Sequence, residues 1–165
     1  MVGMVVNMDN RFDPKEMDAV LGRVFPDSAL KGGDGDIKRL REGMDRASAR
    51  SAAYAELSGR SRDGRRKRLF GELSGEEKAN MRRLQAAHFI LTGDSYAPNA
   101  PRLSARSAPE LLRQLYIAET GDATAYGRAA IAAGDGTLSL LYSGLSDSGM
   151  RHAEQISRLI ESMMK

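Results

Sequence analysis

A chain of 165 residues, 41% apolar and 28% charged, is one domain's worth of sequence with enough apolar material for a core. The absence of cysteine excludes disulfides, thiolate chemistry, zinc ribbons and cysteine-held iron, and a net charge of +3 is too small to demand a nucleic-acid partner. No run of about 18 apolar residues occurs, and Met1–Asn7 is too short for a signal core and lacks a basic flank, so the expectation is a cytoplasmic chain with no membrane span.

Nine methionines and abundant alanine against few β-branched residues favour helix over sheet. Asp13-Pro14-Lys15-Glu16 predicts a short helix to about Phe25, stopped by Pro26. The turn cluster Gly32-Gly33-Asp34-Gly35 closes an N-terminal extension, residues 1–35. From about 36 to 58, Ile37, Leu40, Met44, Ala47, Ser51 and Tyr54 recur at helical spacing on one face. Residues 60–72 carry a basic run, Arg60 to Arg68, expected as a solvated loop between helices, with anion or nucleic-acid contact as the weaker alternative. Ser74-Gly75-Glu76-Glu77 matches a capping box and predicts the next helix start, with Leu84, Ala87, His88 and Leu91 inward and a stop at Thr92-Gly93. Residues 94–106, with Pro98 and Pro101, lack helical pattern. Ser107-Ala108-Pro109-Glu110 is a second capping box, opening a helix to about Ala133. After Gly134-Asp135-Gly136, Leu138, Leu141, Leu145, His152, Ile156 and Leu159 mark a last helical segment, with Gly144 as its natural breaking point.

A shift of 72 residues aligns the two halves without a gap. Arg41 falls on Arg113, Ala53-Tyr54 on Ala125-Tyr126, Asp63-Gly64 on Asp135-Gly136, and Leu73-Ser74 on Leu145-Ser146. Two similar helical hairpins follow, neither able to bury its apolar face alone. The connection 92–106, extended at roughly 3.3 Å per residue, reaches roughly 50 Å. A 20-residue helix is roughly 30 Å long, so the connection can travel the length of the bundle. The expected fold is an all-α four-helix bundle over 36–165 with one long crossover.

Glu119 sits where the third helix should show Leu or Ala, and an unpaired buried carboxylate is costly. A hydrogen bond to Tyr54 or Tyr126 is one way to satisfy it. The repeat maps Glu119 onto Ala47, Glu77 onto Gly149 and Asn80 onto His152, and helical spacing puts residues 77 and 80, and 149 and 152, on shared faces. Six positions therefore converge at mid-bundle.

On these residues the chain resembles the ferritin-like superfamily, most nearly its rubrerythrin-like branch. The resemblance spans about 36–164 and is carried by Glu119 seven residues before Tyr126, by Glu77-Lys78-Ala79-Asn80, by Gly149-Met150-Arg151-His152, and by Leu91-Thr92-Gly93-Asp94-Ser95-Tyr96. It implies a metal centre built from a Glu on the first and third helices and a Glu-x-x-His on the second and fourth. Only Glu77, Glu119 and His152 retain such ligands, while Ala47, Asn80 and Gly149 depart from the pattern. By analogy those three would hold one ion, a set suited to Fe(II), Mn(II) or Zn(II), with a possible redox role. The alternative is a metal-free bundle acting through oligomerisation or partner binding. Partner expectations are a homo-oligomer, a dimer at simplest, with no membrane and no nucleic acid.

Both Glu77, as a capping residue, and His152, as a core imidazole, also have readings without metal. His88 lies eleven residues past Glu77, roughly 16 Å along a helix, and is expected in the core or an interface. Gly149 either makes room for a ligand or close helix approach, or lies in a first turn beginning at Asp147. No glycine-rich phosphate loop or Ser-His-Asp arrangement is present.

Overall fold

The computed structural model describes residues 30–165, so the helix expected at 13–25 lies outside the described residues. Four helices follow one another: α1 Asp34–Arg60, α2 Gly64–Thr92, α3 Ala108–Ala132 and α4 Gly136–Met163. No strand occurs among the described residues. α1 pairs with α2 and α3 with α4 as hairpins, and the hairpins meet through α1 against α3 and α2 against α4. α2 and α3 are therefore diagonal, and residues 93–107 cross the bundle between them. The result is the expected four-helix bundle with one long crossover. The bundle opens at Asp34, two residues earlier than the sequence pattern placed it.

The helix termini follow their side chains. Asp63 caps α2 by accepting from the Arg66 N–H, Ser107 caps α3 by accepting from the Glu110 N–H, and Asp135 caps α4 by accepting from the N–H groups of Thr137 and Leu138. α2 ends at Gly93, whose φ of 74° is the left-handed conformation that glycine adopts without a Cβ clash. The crossover is pinned to α1: the Tyr96 hydroxyl and the Asn99 N–H both donate to the Asp45 carboxylate, at 3.0 and 2.8 Å.

Three expectations are corrected here. α2 begins at Gly64, not at Ser74, so Arg65–Arg68 lie in its first turns instead of in a loop. Ser74 is buried mid-helix and donates to the Ser51 carbonyl at 2.9 Å, a contact between helices and not a cap. α4 runs unbroken through Gly144, which places Gly149 in mid-helix and removes the first-turn reading.

The repeat is real in three dimensions. The Ser74–Ser51 bond has its counterpart 72 residues on, where Ser146 donates to the Ala123 carbonyl at 2.7 Å. Ser58 donates to the Lys67 carbonyl, and in the second hairpin the same two positions bond with roles exchanged, Ser139 donating to the Ala130 carbonyl.

Two apolar blocks form the core. One surrounds Leu40, Met44, Leu84, Leu138 and Tyr142, and the other surrounds Leu57, Phe70, Leu73, Leu112, Leu115 and Ile156. Each fully buried leucine contributes about 2 kcal/mol. Between the blocks lies a buried polar layer, and it positions the candidate site.

Candidate metal centre

The layer is built where the helices present positions 47–51, 74–80, 119–123 and 148–152 inward. Glu77 and Glu119 are each 1% exposed and His152 is fully buried. Their side chains meet. His152 Nδ1 lies 3.1 Å from Glu119 Oε1 and 3.2 Å from Glu77 Oε1. One ligand atom from each residue falls within 4.8 Å of the others. Bonds of about 2.1 Å to a common ion would put neighbouring ligand atoms roughly 3.0 to 3.4 Å apart, and the two spacings to Nδ1 fit that as well as they fit hydrogen bonds.

The outer shell orients this group. His152 Nε2 lies 2.8 Å from Glu76 Oε2, so both ring nitrogens face carboxylates. Burial alone would lower the His152 pKa, but the hydrogen bonds to Glu119 and Glu77, with further help from Glu76, outweigh it and push the pKa up to about 10. In its protonated form His152 donates from Nδ1 to Glu119 and from Nε2 to Glu76. Tyr54 donates to Glu119 Oε1 at 2.7 Å; burial, and then the negative charge of Glu119, raise the phenol pKa well above its usual range. Asn80 donates to the Ser148 hydroxyl at 3.0 Å and does not reach the carboxylates as a ligand.

The central finding is a residue absent from the expected set. Arg50 is buried, and its Nε donates to Glu77 Oε2 at 3.0 Å and lies 3.7 Å from Glu119 Oε1. Its Nη1 pairs with Asp122, which also accepts from Arg46 Nε at 2.9 Å. Burial works against the Arg50 charge, but Glu77, Glu119 and Asp122 outweigh it and hold the guanidinium ionised. Glu77 thus bridges two cation positions, Oε1 facing His152 and Oε2 facing Arg50. The signal was available in the sequence: position 50 is on the same face as Ala47 and Tyr54, and the 72-residue shift pairs Arg50 with Asp122, opposite charges at equivalent positions.

Three further positions complete the picture. At Gly149 α4 packs closely on α3, and a Cβ there would meet Ala123 Cβ and the Glu119 carbonyl oxygen at 3.1 Å each. Close helix approach is thus the role of Gly149. The Tyr126 hydroxyl is buried beside Gly43 with no hydrogen-bond partner among the described residues, and Tyr126 borders a cavity of about 10 Å³ along with Ala47, Asn80, Glu77 and Arg50. That is room for about one water molecule. His88 sits apart, as expected: it is buried, accepts from Arg41 Nε at 2.9 Å, and faces the Asp94 carbonyl through Nδ1.

No family model, curated protein or solved structure matches this chain.

Proposed function

We propose that the protein holds a single divalent transition-metal ion, of the Fe(II), Mn(II) or Zn(II) type, through Glu77, Glu119 and His152. One observation carries the reading. His152 Nδ1 converges with Glu77 Oε1 and Glu119 Oε1, while its other nitrogen is held by Glu76, the arrangement by which outer carboxylates orient metal-bound imidazoles. Two carboxylates and one imidazole leave coordination positions for water or a small substrate, and such an ion supplies Lewis-acid or redox chemistry. Arg50 occupies the neighbouring cation position, which limits the centre to one ion. The ligand pattern supports placing the chain near the ferritin-like superfamily, as a divergent, mononuclear member.

The buried charge supports a functional reading. A layer of buried ion pairs commonly adds less stability than apolar residues of similar volume, so its presence at mid-bundle calls for a use. Elemental analysis of protein purified without chelator tests the proposal. About one ion per chain is expected, lost in His152→Ala and Glu119→Ala. Absence of any ion, together with no thermal shift on adding Mn(II), Fe(II) or Zn(II), overturns it.

A second reading is favoured by the self-sufficiency of the same layer, in which Arg50, Tyr54 and His152 already satisfy the carboxylates. It is a metal-free bundle that self-associates, as a dimer at simplest, using exposed apolar residues such as Ile117, Ile131 and Leu140. Sedimentation equilibrium distinguishes it: a monomer at all concentrations excludes self-association.

A further inference from the structure

The basic run of the α1–α2 turn is not used by the metal centre, yet it borders a sizeable cavity. At the end of the bundle where α1 and α4 finish and α2 and α3 begin, a pocket of about 310 Å³ opens to solvent. That volume is within the range of small-molecule sites. Its floor is apolar: Leu57, Phe70 and Leu112 are buried there, with Leu159 and Met163 along one wall. Its rim carries Arg60, Arg62 and Arg66.

The three arginines are not equivalent. Arg60 is committed to Glu56 at 3.1 Å. Arg62 and Arg66 form no ion pair among the described residues. The one carboxylate at the rim, Asp63, is engaged as the α2 cap by the Arg66 backbone N–H at 2.8 Å. Ser61, also at the rim, donates its hydroxyl to the Leu57 carbonyl at 2.7 Å. The floor therefore offers surface for an aliphatic chain and no polar side chain to recognise anything else on it. The rim offers two guanidinium groups, whose planar donors match a carboxylate.

From this arrangement we infer that the pocket binds an amphipathic anion, a carboxylate on a single medium-length aliphatic chain, with the tail on Leu57, Phe70 and Leu112 and the head between Arg62 and Arg66. The binding is independent of the metal centre, which lies in the polar layer between the two apolar blocks.

Isothermal titration with decanoate on the full chain tests this, with acetate as a head-only probe and decanol as a tail-only probe. Decanoate is expected to bind one per chain, at least tenfold more tightly than decanol, with acetate giving no heat. The double variant Arg62→Ala/Arg66→Ala should weaken decanoate at least tenfold and leave decanol unchanged. Met163→Glu, which places a negative charge at the mouth on an exposed position, should weaken decanoate to a similar degree without lowering Tm. No decanoate binding, equal binding of decanoate and decanol, or unaltered affinity in both variants overturns the inference. So does a native dimer that the double arginine substitution converts to monomer, since a second copy would then be the occupant.

Discussion

Arg50 explains most about the site. A guanidinium surrounded by Glu77, Glu119 and Asp122 answers what satisfies the buried carboxylates, and it does so with a charge that cannot dissociate at physiological pH. Removing it leaves buried carboxylates uncompensated, a loss of about 3 to 5 kcal/mol for a broken buried ion pair. Arg50→Ala should show that loss in urea denaturation. It should also gain a second divalent cation in the vacated position, read as metal stoichiometry rising from one to two. A stoichiometry of one in both proteins would show that Arg50 is a structural counter-ion and not a stand-in for a cation. His152 gives the other residue-scale expectation. Its pKa rises from 6.5 to about 10, so its stabilising contribution to the metal-free protein is complete below about pH 6.5 and is lost as pH rises through about 10. Melting temperatures across that window should fall for the metal-free native chain and vary less for His152→Gln.

At the scale of elements, two glycines of α4 make opposite predictions. Gly149 touches α3, so Gly149→Val should overpack the contact, cost about 1 to 3 kcal/mol in denaturant midpoint experiments, and push His152 away from Glu119. Gly144 has open space around its missing Cβ in a continuous helix, so Gly144→Ala should stabilise by about 1 kcal/mol. The same helix shows what periodicity conveys. The spacing of Leu138, Leu141, Leu145, His152 and Ile156 revealed the buried face, because burial forces that spacing whatever the glycines prefer. The start of α2 was harder. Ser74–Glu77 has the local pattern of a cap, and the five residues that open the helix, 64–68, carry no apolar side chain and form a mostly exposed basic surface before Phe70 and Leu73 enter the core. The repeat contained the correction, since Asp63-Gly64 aligns with Asp135-Gly136 and both aspartates cap helices. Glu119 is legible because it occupies a core position that an apolar residue would fill, and the 72-residue repeat brings Glu77 and His152 to the same level of the bundle. Arg50 is not legible from periodicity, because a long charged side chain on a helix is usually solvated and only tertiary partners on α2 and α3 bring it inside.

At the scale of the molecule, two apolar blocks hold a charged layer between them, and the crossover fixes how the hairpins are joined. Every described helix mixes polar and apolar faces, and none is long and apolar enough to cross a membrane. The repeat makes the two hairpins alike in backbone bonding, yet the pair that joins them at the centre, Arg50 with Asp122, occupies one and the same position of the repeat. Two copies of the first hairpin docked in this geometry would set arginine against arginine, and two copies of the second would set aspartate against aspartate. Each hairpin is thereby built to refuse its twin and accept its sibling. Halves that share the same helix-to-helix bonds and carry opposite charges where they meet favour the pairing of one half with the other over the pairing of like with like.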